Sequence, residues 1–527
     1  MNGHLRGTLL YHLLASFPLL TFAVAFLITK LTRIDRVKLP WKALTVSLVI
    51  ILVVSALAYL LVPIIFDDAE SGLAGASIQA TRGLPVYPSL SAAARYSLLY
   101  GPLASLWHIP PYYVFGKNLI SFKLPGVLVF LLSLLGLYRI CRYYADPRSS
   151  LLGLGCASVL LFQYIGYDFW GRSDPLILFL IVASILVTVD GADWRVIVVA
   201  AVTVGALPNL KISAAAYLMP VLGFIVIRRG WKIAFWAVGC GVCLLALPFA
   251  LPQVSLLNYL SILEVARHHG LNLDFFSRNL QYTVILLLPL FLLVRGSRRM
   301  FDPSSSPYLT YFLLIACAMG ATCVMGSKVG AGNYHIFPFV APLLHLYFWR
   351  RSEVPSLELD LAAPRFAIPF VATLLFYSTS HVLDCAHVYE KATRGAAIIS
   401  EIREIENTYR GSTVGIGAGD ENADLRVLYG PILAFDGQPY TLNVQSVFDT
   451  QLGGLDLPEA SVRDMKNCGT AIWLIPKNQA PFKVKNGYSE SDHQAFSERF
   501  RNAFASRYQK VNSLNEFDVW MCQPAKE

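Results

Sequence analysis

Three acidic side chains that could perform acid–base chemistry stand within four residues of one another. Asp67, Asp68 and Glu70 directly follow a long apolar run. Carboxyl groups this close raise one another's pKa, so that one of them can serve as a general base, and together they can hold a divalent cation. We therefore expect a catalytic site here, with a metal on these three carboxylates as one option. A solvated turn is the alternative interpretation.

A second cluster has the order acid, base, acid between two further apolar runs. It consists of Asp168, Arg172 and Asp174. An arginine in such a setting is a bidentate partner for phosphate, while a structural ion-pair network is the alternative. Lys211 interrupts another apolar stretch, where a lysine either contacts phosphate or extends its amine to the membrane interface.

Other polar residues carry weaker signals. Lys328 and His335 lie in one link between apolar runs and are further candidates for phosphate contact, whereas the adjacent His268 and His269 favour a surface role. The run Gly415-Ile416-Gly417-Ala418-Gly419 does not complete a dinucleotide fingerprint and favours a structural turn. Cys468 and Cys522 flank two predicted strands, and the sequence leaves open whether they form a disulfide.

The composition indicates where these residues must be held. Only 15% of the 527 residues are charged and 55% are hydrophobic, which excludes a disordered chain and disfavours an ordinary soluble enzyme. Residues 1–383 contain 28 Lys and Arg against 15 Asp and Glu, whereas residues 384–527 contain 15 against 19. The positive excess thus belongs to the apolar part, and without a groove-reading motif we expect no nucleic-acid partner.

Apolar runs predict an α-helical polytopic membrane protein with about twelve spans. The short runs 195–208 and 212–227 represent two crossings or one broken helix. Basic residues concentrate in alternate links, and the positive-inside rule places those links in the cytoplasm and both termini outside. The twelve candidates are 8–29, 43–65, 119–140, 149–167, 174–190, 195–208, 212–227, 233–251, 280–294, 308–326, 334–349 and 366–383.

The acidic cluster and the other candidate residues then fall on the outer face. We expect a transmembrane domain over 1–383, with a large outer loop over 66–118 and a small extracytoplasmic α/β domain over 384–527. In the loop, an amphipathic helix to Arg82 and an interfacial segment over 98–115 are predicted. In the tail, helices at 394–409 and 492–508 and strands at 413–416, 470–475 and 517–521 are predicted.

Ionisable residues are scarce in the middle of the spans, where transporters hold their substrate pathway. This distribution favours an enzyme whose cleft opens at the outer leaflet and takes one substrate from the lipid. A transporter or lipid flippase without covalent chemistry is the main alternative. A non-catalytic assembly protein that binds through its tail is a third.

The order of motifs over about 60–225 resembles the GT-C superfamily of membrane glycosyltransferases, in particular the lipid-A aminoarabinose transferase and protein O-mannosyltransferase type. The resemblance is in Asp67-Asp68-Ala69, Gly83-Leu84-Pro85-Val86-Tyr87, Gly101-Pro102-Leu103, Val114-Phe115-Gly116, Lys123, and Asp168 with Arg172-Ser173-Asp174-Pro175-Leu176. Asp68 replaces a usual Glu, Lys123 stands where Arg is common, and Gly101 replaces a lysine often found before the Pro-Leu segment.

The resemblance implies a glycosyltransferase that moves a sugar from a polyprenyl-phosphate-linked donor to a glycan, lipid or protein acceptor by inverting displacement. It implies a multi-pass protein of the cell membrane, here a bacterial inner membrane, with an extracytoplasmic active site. By motif position, Asp67 is the general base, and Asp68 and Asp174 complete the catalytic set. The implied donor-phosphate and substrate contacts are Arg172, Lys211, Lys328, His335, Tyr87, Tyr100 and Asp168.

Overall fold

A computed structural model describes residues 18–32, 41–164, 169–295, 307–353, 388–422, 424–488 and 493–523 of the chain. Most of these residues are helical, as the apolar runs predict. The helices of the apolar part are Pro18–Thr32, Trp41–Leu61, Asp68–Thr81, Leu103–Leu106, Ile109–Phe115, Leu119–Tyr144, Pro147–Tyr164, Asp174–Asp190, Asp193–Leu210, Leu218–Arg229, Trp231–Ala246, Leu256–Arg267, Leu273–Arg295, Pro307–Met325 and Val340–Glu353.

Five helical segments in the described ranges are long and apolar enough to cross a membrane: Leu119–Tyr144, Asp193–Leu210, Ile212–Arg229, Trp231–Ala250 and Pro307–Met325. A helix satisfies its own backbone hydrogen bonds, which lipid cannot do for it. The predicted span 366–383 lies outside the described residues. The total of twelve crossings therefore stays a prediction.

The two short apolar runs on either side of Lys211 form separate segments. Asp193–Leu210 contains Pro208 in its last turn, and the backbone at Lys211 is extended, with φ −158° and ψ 123°. A 3₁₀ turn over Ile212–Tyr217 then leads into Leu218–Arg229. This break favours two crossings over one broken helix. It places Lys211 in a non-helical segment between the two.

The predicted outer-loop helix is present but is not amphipathic at a surface. Asp68–Thr81, called here the loop helix, is buried along the whole stretch from Glu70 to Ala80. Apolar residues of the tail cover the face that was expected to meet water. The interfacial prediction for 98–115 agrees better with the structure, since Tyr113, Val114 and Phe115 at the end of a short helix are 74%, 71% and 60% exposed.

The tail forms a four-stranded sheet of the order β1-β2-β4-β3. The strands are β1 Val414–Ile416, β2 Ile472–Pro476, β3 Tyr508–Ser513 and β4 Phe517–Cys522, and the tail helices are Val388–Thr408, Gly430–Phe435, Val444–Leu452, Glu459–Lys466 and Glu498–Arg507. β1 and β2 run parallel, and the other two pairs run antiparallel. The predicted strands and both predicted helices are confirmed, whereas β3 is not predicted, and only its first residue, Tyr508, falls within the predicted helix 492–508.

The tail and the outer loop share one apolar core. Ile398, Val414 and Ile472 of the tail belong to the same buried cluster as Leu73 of the loop helix and Phe122 of the helix that follows the loop. Cys468 and Cys522 are joined as a disulfide, which answers the question that the sequence left open. The sheet of the tail packs directly against the loop that carries the acidic cluster. That residues 384–527 form a separate extracytoplasmic domain remains a prediction.

Candidate active site

Asp67 stands where the chain leaves the second apolar helix and enters the loop helix. Its backbone is extended, and it caps that helix, because its Oδ1 accepts a hydrogen bond of 2.7 Å from the backbone N–H of Glu70. An aspartate is a favoured residue at this position. Its other oxygen, Oδ2, accepts a hydrogen bond from the Arg172 guanidinium and forms an ion pair with it. Both carboxylate oxygens are therefore held in a fixed direction.

A buried clamp fixes the segment that presents Asp67. The Glu70 carboxylate accepts hydrogen bonds from the Tyr59 hydroxyl at 2.5 Å and from the Phe66 backbone N–H at 2.7 Å. The Lys123 amine donates to the carbonyl oxygens of Tyr59 and Val62, at 3.0 Å and 2.9 Å. Burial raises the pKa of Glu70 to about 7, and the charge of Lys123 opposes that shift. Glu70 thus supports the site from behind, and its carboxylate does not join those of Asp67 and Asp68.

Asp68 differs from its neighbour in its surroundings. Burial and then the adjacent charge of Asp67 raise the pKa of Asp68 to about 7, against the smaller opposing effect of Arg172. A carboxyl group in this state accepts a hydrogen bond when ionised and donates one when protonated. The two consecutive aspartates are therefore chemically distinct at neutral pH.

Arg172 and Lys211 approach one aromatic ring from different elements. The Tyr334 ring lies 5.4 Å from the Arg172 guanidinium carbon and 4.6 Å from the Lys211 amine. Lys211 also forms an ion pair of 3.2 Å with Asp174, the first residue of the helix Asp174–Asp190. Asp174 thereby directs the amine, and its predicted place in the catalytic set stays a prediction.

Gly101 explains one departure from the family pattern. The backbone of Asn209 occupies the place where a side chain at position 101 would begin, and the Gly101 N–H donates to the Leu210 carbonyl at 3.1 Å. This close approach admits only glycine. The ring of the preceding residue, Tyr100, lies 5.0 Å from the Lys211 amine.

Lys328 and His335 reach the same place from the link after Pro307–Met325. The Lys328 amine donates to the Ala266 carbonyl at 3.1 Å, in the last turn of Leu256–Arg267. Within the described part of the chain it forms no ion pair with a carboxylate. His335 is buried and its ring stacks on Tyr334, with the centroids 4.4 Å apart.

These side chains surround a cavity of about 500 Å³. Predicted residues that line it are Asp67, Asp68, Tyr100, Arg172, Lys211, Lys328 and His335. Asp174 lies immediately behind Lys211. The structure thus brings together in one place most of the residues that the sequence singled out.

Two predicted site residues are not in this lining. Tyr87 packs in a separate apolar cluster, with its ring 5.0 Å from that of Tyr259, and its hydroxyl donates to the Tyr100 carbonyl at 2.7 Å. It is a support for Tyr100 rather than a substrate contact. Asp168 lies outside the described residues. For the metal option on Asp67, Asp68 and Glu70, the described residues contain no group of three His, Cys, Asp or Glu side chains that could hold an ion.

Sequence reasoning missed the residues that the tail contributes. Gln445, Asp449 and Tyr488 line the cavity, and His269 does so beside them. Their positions give no local signal, because each is a single polar residue in an ordinary tail segment. The surface role expected for His269 is wrong: it is buried, and its Nε2 lies 2.8 Å from the Asp449 carbonyl oxygen. Burial raises the pKa of Asp449 to about 7, as it does for Asp68.

The proposed glycine-rich turn is confirmed as structural. The Gln479 side chain fills the space beside Gly419, and its Oε1 accepts from the backbone N–H groups of Asp420 and Glu421. The backbone N–H groups after this run therefore already have a protein acceptor.

The chain resembles known proteins in part of its sequence and in most of its fold. Residues 101–255 match the model of the family described as dolichyl-phosphate-mannose-protein mannosyltransferase. A sequence comparison with curated proteins finds no match.

Among solved structures, ArnT from Cupriavidus metallidurans bound to undecaprenyl phosphate is 11% identical with a TM-score of 0.52, over 92% of this chain and 98% of that one. Its apo form gives the same identity and TM-score over 90% and 97%. Arabinosyltransferase EmbB from Mycobacterium smegmatis is 14% identical with a TM-score of 0.43, over 88% of this chain and 47% of that one.

The helical architecture of this chain is similar to that of ArnT over 92% of its length, and residues 101–255 match the mannosyltransferase family model. The resemblance to GT-C glycosyltransferases that the sequence predicted is therefore confirmed.

Proposed function

We propose that the protein transfers a sugar from a polyprenyl-phosphate-linked donor to an acceptor hydroxyl on the outer face of the membrane. The observation that carries this proposal is the cavity in which the Asp67 carboxylate meets Arg172, Lys211 and Lys328. These four residues come from segments far apart in the sequence. A carboxylate beside several cations matches a reaction that removes a proton at one oxygen and releases a phosphate at another.

The cations supply the phosphate contacts. Arg172 presents a planar guanidinium that suits a phosphate bidentately, while Lys211 and Lys328 act as point charges. Each preorganised donor of this kind typically contributes about 3–4 kcal/mol to the stabilisation of developing charge. Since ArnT has been crystallised with undecaprenyl phosphate, a lipid phosphate is a reasonable ligand for a cavity in the same fold.

Asp67 takes the proton in this scheme. The acceptor oxygen forms a bond to the anomeric carbon while the bond from that carbon to the phosphate oxygen breaks, and configuration inverts. The hydroxyl proton passes to Asp67, and the electron pair leaves with the polyprenyl phosphate. Asp68 borders the reacting groups, and Asp174 keeps the Lys211 amine in place through its 3.2 Å ion pair.

The proposed topology follows the charge pattern of the links. The transmembrane part over 1–383 holds the donor, the tail over 384–527 lies outside the membrane, and the links rich in basic residues lie in the cytoplasm. A bacterial inner membrane is the proposed location. The cavity then opens to the outer leaflet, from which a lipid-linked donor can enter.

A panel of radiolabelled polyprenyl-phosphate sugars tests the function. Purified full-length protein should convert one donor, with label appearing in a new product and free polyprenyl phosphate released in equal amount. The competing transporter or flippase function predicts instead that labelled lipid crosses vesicle membranes with its sugar–phosphate bond intact. That result, without any covalent product, would refute the proposal.

A further inference from the structure

One wall of the cavity comes from the tail, and it includes none of the proposed donor-phosphate contacts. Gln445 and Asp449 lie on the helix Val444–Leu452, and Tyr488 faces them. We propose that these three side chains, together with Asp68, form the subsite for the acceptor, and that they select an uncharged polyhydroxylated group, as in a glycan. This inference rests on the proposed function and identifies the class of its second substrate.

The wall is a connected hydrogen-bond network rather than a set of loose side chains. The Tyr488 hydroxyl donates to Gln445 Oε1 at 2.9 Å, and Gln445 Nε2 donates to Asp449 Oδ1 at 3.0 Å. The backbone on both sides is fixed as well. The Tyr488 N–H donates to the Asn486 side chain at 3.0 Å, and the Asn486 amide donates to the Phe448 carbonyl at 3.1 Å. Such a network orients its free donor and acceptor positions before a ligand arrives.

The helix that carries this wall is tied to the outer loop. Ser446 Oγ donates to the Ser97 carbonyl at 2.7 Å, and the Asn443 N–H donates to the Arg95 carbonyl at 2.8 Å. The wall is therefore held in a fixed position relative to Asp67, which caps the loop helix. A group bound on the wall is presented to the proposed base.

Charge separates the two sides of the cavity. Arg172, Lys211 and Lys328 form a cationic side that suits the donor phosphate. On the other side, Asp68 and Asp449 interact electrostatically with each other and with the Tyr488 phenol. Whenever either of these carboxyl groups is ionised, it repels a phosphate or carboxylate of an acceptor.

The hydrogen-bonding capacity of the tail wall points to hydroxyl groups. An amide and a phenol both donate and accept, and a carboxyl group whose pKa is raised to about 7 does the same around neutrality. Sugar hydroxyl groups have this dual capacity. The donor is anchored in lipid and its phosphate is needed at the cationic side, so the tail wall remains for the acceptor.

The test separates acceptor binding from donor binding. Full-length protein, with a labelled donor that it uses, is assayed against alkyl glycosides, the same glycosides carrying a phosphate, and water as the acceptor. Gln445→Ala and Tyr488→Phe should each raise KM for the neutral glycoside about five- to tenfold, which corresponds to the loss of one hydrogen bond. The donor KM and the slow hydrolysis rate should stay unchanged.

Gln509→Ala and Tyr113→Phe are matched controls, because both residues are exposed on other surfaces. The inference is overturned if the wild type prefers the phosphorylated glycoside or accepts no neutral one, or if the two variants alter the donor KM and the hydrolysis rate as much as the acceptor KM. Wild-type protein that neither transfers nor hydrolyses any donor would instead refute the proposed function. Thermal unfolding of each variant separates a lost contact from a lost fold.

Discussion

Asp67→Asn should abolish transfer while leaving the protein folded. The substitution preserves the shape of the side chain, and an asparagine oxygen can still cap the loop helix at the Glu70 N–H, since asparagine is as good a cap as aspartate. What it removes is the negative charge and the ability to accept a proton. A positioned general base contributes about 10²–10⁴-fold, so the activation barrier should rise by about 3–5 kcal/mol.

The cost to stability should be much smaller. The main folded-state interaction lost is the ion pair with Arg172, whose side chain is 16% exposed against 22% for Asp67. A pair that retains this much contact with solvent contributes about 1 kcal/mol. Asparagine has only one oxygen, so while that oxygen caps the loop helix, its NH2 group faces Arg172 and the hydrogen bond to the guanidinium is lost with the ion pair. The rate and the stability effects should therefore differ several-fold in free energy.

The assay pairs initial rates of label transfer with thermal unfolding in the same detergent. Asp193→Asn is a matched control: it removes an ion pair of 3.6 Å with Arg229 at a position where Asp193 is 61% exposed. We expect this control to transfer sugar at the wild-type rate. A rate for Asp67→Asn within about threefold of wild type would refute Asp67 as the base, since the loss of a general base costs far more. Loss of activity together with loss of the folded transition would refute the claim that the residue acts on chemistry.

Three further perturbations address the other parts of the site. Lys328→Ala should raise the donor KM about tenfold, and Lys328→Arg should partly restore it, because this cation has no carboxylate partner among the described residues. Equal donor KM values in the wild type and in Lys328→Ala would exclude a phosphate contact. Glu70→Gln should lower the free energy of unfolding by about 3 kcal/mol in thermal melts, because it leaves the buried Lys123 without its counter-charge. The control Glu459→Gln, at an exposed position, should have little effect. Similar melting curves for both variants would contradict the clamp. The third perturbation is a change of pH. The folded state holds the proton of Asp68 up to about pH 7, whereas the unfolded state releases it near pH 4. The free energy of unfolding should therefore fall as pH rises through this window, and it should fall less steeply in Asp68→Asn. Parallel slopes for wild type and variant between pH 4.5 and 8 would argue against the raised pKa.

The sequence predicted the site residues of the transmembrane part because each breaks a strong local rule. A charged side chain at the end of an apolar run is costly, so Asp67, Arg172 and Lys211 were conspicuous. The family resemblance then gave them an order. All three line one cavity, and their roles there stay predictions.

The tail residues could not be predicted in this way. Asp449 and Gln445 lie in a short helix whose composition is that of any soluble domain, where a polar residue breaks no rule. Their relevance depends on a long-range event, the packing of the tail on the loop helix. Sequence separation between Ser446 and Ser97, which are joined by a hydrogen bond, is 349 residues. No local periodicity encodes such a contact.

The same packing explains why the loop helix is buried, whereas the sequence predicts an amphipathic helix at a surface. An amphipathic helix is predicted here, but the residues Asp68-Ala-Glu-Ser-Gly-Leu-Ala-Gly-Ala-Ser-Ile-Gln-Ala-Thr81 are mostly small and form no wide apolar stripe. The small residues instead admit close neighbours. The Tyr440 ring occupies the space beside Gly75, and Leu98 lies within 2.7 Å of where a side chain at Gly72 would begin. A helix without a stripe is here one that is covered on every side.

Two adjacent aspartates lie in different surroundings in this fold, and this difference makes the pair suitable for acid–base chemistry. Asp67 is given a helix cap and a guanidinium, both of which favour its charged form. Asp68 is given burial and the charge of its neighbour, both of which oppose ionisation. A carboxylate paired with a guanidinium, beside a carboxyl group that readily keeps its proton, provides an acceptor and a donor. A hydroxyl that must lose its proton while its sugar ring is held by hydrogen bonds requires both functions. The position of the tail, which supplies much of the covering around the loop helix, is therefore part of how the acidic cluster becomes a site.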